Sequence, residues 1–513
     1  MNKIKTNRNE LKIGVILTYI NLFASNIISI IYTPYILSSL GQAEYGVYTL
    51  VWSIVNYLTV LDLGFSNAII RYASKYKAEK QKEKEASLYG TFLIIYLVIG
   101  LVAIAACAVI KANFSGFAKG LTTGEVEIAL QLIMIGSINI AISFPFSVFR
   151  GIVNVSERFT FIKVADLVRT LLTPVTTFTV LLNGGGSVGL MWAYTLISVA
   201  VFVAYVYYSF AVLHQKISFK RCEDGILKGI AVYSFYTFLG TIVDKIYWGT
   251  DQIILSNKAD AQSIAIYSIG SSFPGYFISF STAISGVLLP RITKVSSEKK
   301  EDATKELSEW FIKVGRLQFW VLSLVLLGFA FVGKEFICIW AGNDYAPAYW
   351  IALIIMIPSI VSLSQNTGIS ILQAQNKIKF RSVSYVFIAI FNIFVSLALV
   401  DKYGGIGCAI GTSLGTLLGP IILMNIYYKK VIRIDIGGYW KNFVSMLKAW
   451  IAPIIAGIIM KNFIAVTGYV SLLLFALLFS AVFFGSAYLF GFNPYEKALV
   501  SGVFERLRRN KKE

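Results

Sequence analysis

The sequence predicts an all-α polytopic membrane protein with about fourteen transmembrane helices. Hydrophobic residues make up 57% of the 513 residues and charged residues only 14%, and the mean hydropathy is +0.70. Such a composition leaves too few polar side chains to cover the surface of soluble domains. Apolar runs of about twenty residues, each long enough to cross the hydrocarbon core of a bilayer, recur along the whole chain.

The predicted spans follow one another with short connections. In order, they begin near residues 12, 43, 87, 125, 156, 188, 226, 261, 304, 348, 378, 404, 439 and 468, and we number them in that order. Gly41 marks the turn between spans 1 and 2, since glycine tolerates the backbone angles that a helix break needs. The connections on the outer face are too short to form a catalytic domain.

The formal net charge of +19 is distributed unevenly among the connections. Most of the 46 lysines and arginines fall in every second connection and in both terminal segments. The opposite connections carry only Lys111, Lys119, Lys258, Lys334, Lys402 and Lys461. Because connections rich in Lys and Arg stay in the cytoplasm, both termini are predicted to be cytoplasmic. Topology and attraction to anionic lipids then explain the charge, and no nucleic-acid partner is predicted.

Three segments of the first half recur in order in the second half, at a nearly constant offset. LSSLGQAEYGVYTL from Leu37 matches LSNKADAQSIAIYSI from Leu255, and GGSVGLMWAYTL from Gly185 matches YGGIGCAIGTSL from Tyr403. Between them, FRGIVNVSERF matches ILQAQNKIKF. An even number of helices per repeat keeps the orientation in the membrane, so an axis along the membrane normal is predicted to relate two parallel lobes.

The repeat predicts a division of the chain into four parts. These are an N-terminal six-helix lobe over residues 1–215, a C-terminal six-helix lobe over 216–435, two further helices over 436–492, and a cytoplasmic tail over 493–513. In the tail, Leu499, Val503 and Leu507 are set against Lys and Arg residues. This pattern predicts a basic amphipathic helix on the inner leaflet.

Several predicted spans carry polar side chains every three or four residues, which places them on one helical face. The residues that we expect to line a shared hydrated cavity are Asn21, Ser25, Asn67, Tyr247 and Asn366. The alternative is packing between helices, since Ser, Thr and Asn hydrogen bonds stabilise membrane bundles. Polar stripes on spans of both lobes favour the cavity.

Basic residues inside or near the spans predict an anionic cargo, because ionisable side chains at membrane depth usually face a cavity or a partner. The candidates for substrate binding are Arg71, Arg169, Lys245, Lys313 and Arg316. A diphosphate would suit them, since Arg offers bidentate donors and Lys a point charge. Alternatives stay open for three of them. Arg71 lies near the cytoplasmic end of its span, and Lys313 and Arg316 are also placed to extend their charged ends to the interface.

Sequence spacing also predicts which charges pair. Asp62 and Arg71 are nine residues apart, which is about 180° around a continuous helix, so they are predicted not to pair. Asp166 and Arg169 stand three residues apart on one helical face and are predicted to neutralise each other.

Three stretches, LGQAEYGVYTL, LDLGFSNAIIRYASKY and QNKIKFRSVSY, resemble the polysaccharide flippases of the multidrug/oligosaccharidyl-lipid/polysaccharide exporter superfamily. These are translocases of O-antigen, teichuronic acid and capsule repeat units. The resemblance implies two lobes like those of multidrug/toxin extruders (MATE) and the lipid II flippase, around a central cavity lined largely by spans 1, 2, 7 and 8. It also implies that spans 13 and 14 form a groove for a lipid tail.

The resemblance implies a function that is transport rather than catalysis. An undecaprenyl-diphosphate-linked oligosaccharide would move from the inner to the outer leaflet of the bacterial plasma membrane by alternating access. Polysaccharide polymerase and glycosyltransferases are further implied partners. No GxxxxGK[ST] sequence is present, so no nucleotide cofactor is predicted. A proton or sodium gradient would supply the energy, with Asp62, Asp166, Asp244 and Asp251 as candidate coupling carboxylates.

Two alternatives stay open, one a transporter and the other from a different functional class. An ion-coupled drug extruder of the same fold would favour acidic cavity residues for cationic cargo, whereas the charges inside these spans are mixed. A membrane glycosyltransferase or polymerase would need a large outer loop with catalytic side chains, and the sequence predicts none.

Overall fold

The computed structural model describes residues 2–220, 224–297, 303–375 and 377–510 of the chain. These residues form helices joined by short connections, and no strand occurs among them. The helices are α1 (Asn2–Leu58), α2 (Phe65–Ala78), α3 (Lys82–Phe117), α4 (Thr123–Val155), α5 (Phe159–Leu182), α6 (Gly186–Tyr207), α7 (Asp224–Lys258), α8 (Ala261–Ser297), α9 (Ala303–Ala341), α10 (Ala348–Ser364), α11 (Thr367–Ala374), α12 (Ile378–Tyr403), α13 (Gly405–Thr416), α14 (Met424–Tyr427), α15 (Ile436–Leu447), α16 (Ile451–Phe463), α17 (Tyr469–Ser486) and α18 (Pro494–Asn510).

Many of these helices are long and apolar enough to cross a membrane. Within the described residues there are ten such helices, or eleven if α10 and α11, which meet at a bend of 46°, count as one span. One of the ten, Ile16–Ala78, contains the turn at Gly41 and therefore covers predicted spans 1 and 2. The prediction of an all-α polytopic membrane protein is confirmed, and the total of fourteen spans stays a prediction.

Gly41 divides α1 into two helical segments. Its backbone angles are φ 74° and ψ 170°, a region of conformational space that glycine adopts far more readily than any other residue. The turn therefore lies where the sequence predicts it.

Predicted span 2 is not one continuous helix. After α1, residues Thr59–Asp62 form a 3₁₀ turn, and Leu63 and Gly64 follow with positive φ angles of 52° and 79°. Such angles end a right-handed helix, and they cost a non-glycine residue about 1–2 kcal/mol. Asp62 and Arg71 lie on opposite sides of this break. The predicted angle of about 180° between them assumed one continuous helix, so that angle does not apply.

The chain forms two compact units. The first comprises Met1–Ser268 and Tyr385–Cys408, and the second comprises Ile269–Ser384 and Ala409–Glu513. In the first unit, α7 packs along α1 and α2. These units are defined by contacts between residues, whereas the predicted four-part division is defined by the sequence repeat. The division at residues 215, 435 and 492 therefore stays a prediction.

The second unit is built around α9, which contacts α10, α15, α16 and α17. The fully buried ring of Phe319 lies at the centre of these contacts. It stacks on Trp450 with ring centroids 5.7 Å apart and meets Phe443 edge-on at 5.0 Å. Offset and edge-on aromatic pairs add about 0.5–1.5 kcal/mol to the burial of their surface, which stabilises α9 against the C-terminal helices.

Candidate functional site

A row of polar contacts joins α1 to α7 within the first unit. Lys245 Nζ donates a hydrogen bond to Asn56 Oδ1 over 2.6 Å. Ser53 Oγ donates to Gln252 Oε1, and the hydroxyls of Tyr57 and Thr250 are hydrogen-bonded to each other. We call this row the polar seam, and its members are Thr49, Ser53, Asn56, Tyr57, Lys245, Thr250, Gln252 and Ser268.

Gln252 extends the polar seam from α1 to α8. While its Oε1 accepts the bond from Ser53, its Nε2 donates to Ser268 Oγ at 2.8 Å. Ser268 Oγ in turn lies 2.9 Å from Thr49 Oγ1 and donates to it. One amide side chain thus connects three helical segments, and both of its polar atoms are used.

Glycine allows the backbones to approach closely along the seam. A Cβ atom on Gly46 would lie 2.8 Å from the carbonyl carbon of Ala261 at the start of α8, and one on Gly249 would lie 2.8 Å from the ring of Tyr57. Both distances are shorter than van der Waals contact, so any other residue would push the helices apart. The seam therefore depends on close packing as well as on hydrogen bonds.

The end of α3 and its connection to α4 contact the C-terminal end of α7. Gly120 N donates to Ser256 O at 3.1 Å, and Asn257 Nδ2 donates to Phe117 O at 2.7 Å. At the other end of α7, Gly229 lies against Tyr72 of α2, where a Cβ would be 2.9 Å from the tyrosine hydroxyl. The helix α7 thus contacts α1, α2 and α3 along its length.

Asp251, a predicted coupling carboxylate, is buried next to the polar seam with 4% of its surface exposed. It accepts hydrogen bonds from the Tyr267 hydroxyl of α8 and from Ser396 Oγ of α12 at 3.1 Å. Ser396 also lies 3.2 Å from Asn392 Oδ1, and both residues are buried. The carboxylate therefore accepts hydrogen bonds from neutral hydroxyl groups of two other helices, α8 and α12.

Asp62, the second predicted carboxylate, lies at the break before α2. It accepts hydrogen bonds from the Tyr96 hydroxyl and from Ser66 Oγ, each at 2.6 Å, and from Ser66 N at 3.4 Å. The last contact caps the N-terminus of α2, where a backbone N–H lacks a helical partner. Tyr96 is itself fixed in a buried aromatic cluster, stacked 6.1 Å from Phe144. This arrangement gives Asp62 a structural role at the break.

The predicted pair between Asp166 and Arg169 differs from the observed contacts. Asp166 instead accepts from Arg150 of α4, with N–O distances of 3.3 and 3.4 Å, and its carboxylate lies 3.8 Å from Lys163. Arg169 lies over the ring of Tyr194 at 4.7 Å and donates to Ser198 at 3.1 Å. Asp166 and Arg169 therefore each contact a side chain of a neighbouring helix instead of pairing with each other along α5.

Arg316 is buried in the second unit rather than placed on an open wall. Its Nε and Nη2 donate to the two carboxylate oxygens of Glu496, each at 2.7 Å. Nη1 donates to Asn442 at 3.0 Å, and Nη2 also donates to Gly491 O at 2.8 Å. The exposed fractions of the two side chains are 6% and 3%. Arg316 therefore fixes the C-terminal helix α18 to α9.

Lys313 contacts the same helix, with its Nζ 3.5 Å from the ring centroid of Tyr495 and 5.0 Å from that of Trp310. The two basic residues that the sequence analysis places near the interface thus both contact the beginning of α18. The sequence carries one signal at this position, because Asn493 and Glu496 have the spacing of a helix capping box. That signal marks the start of the helix that holds the partner of Arg316. The side chains of Asn493 and Glu496 bond each other's backbone N–H at 2.9 Å.

The predicted cavity-lining polar residues are dispersed. Asn21 Oδ1 accepts from Thr170 Oγ1 at 2.9 Å, which joins α1 to α5. Ser25 donates to the carbonyl of Leu22 in its own helix. The structure also places Asn67 and Arg71 exposed on α2, and Asn366 at the bend between α10 and α11, where it donates to Ser285 at 3.2 Å. The side chains of Asp244 and Tyr247 lie outside the described residues.

Sequence reasoning identified Lys245 but missed its partners. Thr49, Ser53, Asn56 and Tyr57 stand at positions i, i+4, i+7 and i+8 of α1, the spacing of one helical face. That signal was available. Which helix would face it depends on tertiary packing, which the spacing does not contain.

Comparison with known proteins adds the family. A family model described as "Polysaccharide biosynthesis protein" matches residues 11–296, more than half of the chain. The chain belongs to this polysaccharide biosynthesis protein family. The match covers α1 from residue 11 onward, α2 to α7 and nearly all of α8, and so includes every member of the polar seam. The resemblance to polysaccharide flippases is confirmed.

Relatives of this family member support the assignment. It is 21% identical over 418 residues to a putative O-antigen transporter of Shigella flexneri, covering 79% of this chain and 96% of that protein. It is 19% identical over 409 residues to the probable flippase AglR of Haloferax volcanii, covering 78% and 80%. Both relatives are thus matched over most of their length.

Solved structures share the fold. The lipid II flippase MurJ, in an inward closed conformation, superposes with a TM-score of 0.68 at 16% identity, covering 92% of this chain and 98% of that one. An inward-facing MATE transporter of the MOP superfamily superposes with a TM-score of 0.62 at 16% identity, covering 78% and 92%. The predicted MATE-like architecture is therefore confirmed.

Proposed function

We propose that this protein is a flippase that moves a lipid-linked oligosaccharide from the inner to the outer leaflet of the bacterial plasma membrane. Membership of the polysaccharide biosynthesis family supports the cargo class, and the names of the relatives, an O-antigen transporter and a flippase, support transport rather than catalysis. The cargo is an undecaprenyl-diphosphate repeat unit whose head group passes through the protein while its tail stays in the bilayer. Polysaccharide polymerase and glycosyltransferases act on the same lipid-linked unit.

The observation that carries the mechanism is the polar seam. With both termini in the cytoplasm, the end of α7, the start of α8 and the α1 segment after Gly41 all lie toward the outer face. The seam then closes the outer side. Each of its neutral hydrogen bonds contributes a net stability of only about 0.5–1.5 kcal/mol, and the bond from Lys245 about 1.5–3 kcal/mol, so the set can open and re-form. Reversible closure of this kind is what alternating access requires.

Asp251 is the coupling carboxylate in this proposal. A buried carboxylate is costly when charged unless a cation or a proton accompanies it. The hydroxyl oxygens of Tyr267 and Ser396 contact this one, and the amide oxygen of Asn392 lies next to Ser396. Such oxygen atoms suit a proton or a sodium ion. Asp62 caps α2 and Asp166 is paired with Arg150, so both are weaker candidates. Asp251 lies beside Gln252 in the chain, which supports coupling of the proposed cation site to the seam.

Arg71 and Arg169 are the proposed contacts for the diphosphate. Arg71 is exposed on α2, and Arg169 is half-buried on the ring of Tyr194. Lys245 contributes through the seam, where it is bound to Asn56. Lys313 and Arg316 we assign to the docking of α18, because Tyr495 and Glu496 already contact them.

A drug extruder of the same fold is the second candidate, since a MATE transporter also superposes over most of its length. The cargo distinguishes the two functions. A strain lacking this gene should accumulate lipid-linked oligosaccharide at the inner leaflet, and the intact gene should relieve the accumulation. Normal export in the deletion strain, combined with increased sensitivity to cationic drugs, would instead support the extruder.

A second assay isolates the protein from its pathway. Purified protein in vesicles should move a fluorescent lipid-linked oligosaccharide to the opposite leaflet, as measured by its protection from a membrane-impermeant quencher. Protein-free vesicles are the control. Equal protection with and without protein would contradict the proposed function.

A further inference from the structure

An apolar pocket of about 380 Å³ lies beside the polar seam, between α1, α3 and α7. Its walls include Ile54, Tyr57, Leu58, Ile110, Phe117 and Ile253. The volume falls within the range of about 300–1,000 Å³ that ligand pockets have. All of its walls belong to the first unit, so the pocket is a feature of one compact body.

Two polar side chains on the pocket walls, those of Tyr57 and Asn113, make hydrogen bonds within the protein. The hydroxyl of Tyr57 bonds that of Thr250, so only its ring remains for a ligand. The amide of Asn113 donates to the carbonyl of Val109 in its own helix at 2.9 Å. A lipid head group or a water molecule would find few partners here, and pockets of this composition stay dry. Hydrocarbon is the matching chemistry.

Lipid can reach the pocket from the side. Val109, on its α3 wall, is 63% exposed, and α3 is long and apolar enough to cross a membrane. At membrane depth, an exposed face of this kind meets acyl chains rather than water. The open side of the pocket therefore faces the hydrocarbon of the bilayer.

Tyr57 connects the pocket to the seam. Its ring forms part of the pocket wall, lies against Gly249 of α7, and carries the hydroxyl that bonds Thr250. A chain packed in the pocket would therefore support the ring in the position that the closed seam requires. Loss of the chain would remove contacts from one side of that ring.

We propose that an acyl chain of an outer-leaflet phospholipid occupies this pocket and stabilises the closed polar seam through Tyr57. The assignment to the outer leaflet rests on the topology given under the proposed function. The occupancy of the pocket by hydrocarbon does not depend on that topology. A phospholipid suits the pocket better than the tail of the cargo, because the pocket exists while the seam is closed. In that state the head group of the cargo has not reached the outer leaflet.

Photo-labelling tests the occupant directly. The full-length protein in vesicles is irradiated with a phospholipid that carries a diazirine near the end of one acyl chain, and the adducts are mapped by mass spectrometry. Adducts should concentrate on Ile54, Leu58, Ile110 and Ile253. Ile110→Trp, which fills the pocket, should reduce labelling at the other three severalfold. Leu101→Trp on the lipid-exposed part of α3, where Leu101 is 67% exposed, should leave it unchanged.

Two results would overturn the proposal. One is labelling of these residues that is no stronger than at Leu101 and is insensitive to Ile110→Trp. The other is labelling by a photoreactive polyprenyl phosphate but not by the phospholipid, which would assign the pocket to the tail of the cargo. Neither result depends on transport, so the flippase function stands or falls separately.

A second measurement tests the effect on the seam. In delipidated protein, a disulfide between cysteines at Thr49 and Ser268 should form severalfold faster when phospholipid is added back. In the Ile110→Trp variant, whose own side chain fills the pocket, the rate should not respond to phospholipid. If the disulfide of the double-cysteine protein without Ile110→Trp formed at a rate independent of phospholipid, that result would contradict the coupling between pocket and seam.

Discussion

Lys245 of α7 donates a hydrogen bond to Asn56 of α1, with 2.6 Å between Nζ and Oδ1. A cation that the sequence marks for cargo binding is thus used to join two helices. The same contact lies in a row with those of Tyr57, Ser53 and Thr49. We therefore expect substitutions along this row to change which face of the protein is open, in addition to any effect on cargo affinity.

The first prediction concerns the close packing at Gly46. Gly46→Val should keep the polar seam from closing, because even a Cβ would lie 2.8 Å from the carbonyl carbon of Ala261. A cysteine at Ser53, introduced after replacement of the 4 native cysteines, should then react faster with a membrane-impermeant thiol reagent added outside. Gly116→Val is the matched control, since no atom lies within 4 Å of a Cβ there. Equal reactivity in both variants would show that Gly46 does not limit closure.

The second prediction concerns the buried carboxylate. Asp251→Asn should abolish the dependence of flipping on an imposed proton or sodium gradient, because the neutral amide needs no accompanying cation. Flipping in vesicles is measured with and without each gradient. Asp166→Asn, at a partly exposed ion pair, should keep the parent response. An unchanged gradient response in Asp251→Asn would move coupling to another carboxylate.

The third prediction concerns the C-terminal helix. Arg316→Ala leaves Glu496 buried without its bidentate partner, and removing one member of a buried ion pair costs about 3–5 kcal/mol. We expect a lower midpoint of thermal unfolding in detergent and faster proteolysis of α18. The double variant Arg316→Met/Glu496→Leu should recover much of the loss, since it leaves no buried charge. A single variant as stable as the parent would contradict the buried pair.

The helices and the family were accessible from the sequence. Apolar runs fix the helix positions because the bilayer requires about twenty apolar residues per span, and Gly41 carries a recognisable turn signal. Span 2 is interrupted at Leu63 and Gly64. The break itself was not predicted, since Leu63 in a left-handed conformation has no sequence signature of its own.

The partners of charged side chains on other helices were the main features that could not be predicted from the sequence. Asp166 pairs with Arg150 of α4 instead of Arg169 in its own helix, and Arg316 pairs with Glu496, 180 residues away. Helical spacing defines which side chains share a face. Which face meets which neighbour is decided by the packing of whole helices, and that information is spread over many residues.

Cross-linking the polar seam tests the central claim most directly. Cysteines replacing Thr49 and Ser268, whose hydroxyl oxygens lie 2.9 Å apart, should form a disulfide in a background without native cysteines. Flipping in vesicles is measured before oxidation, after it, and after reduction. We predict that oxidation stops flipping and that reduction restores it, because the outer side must open in every cycle. Flipping at the parent rate with the disulfide fully formed would contradict the account.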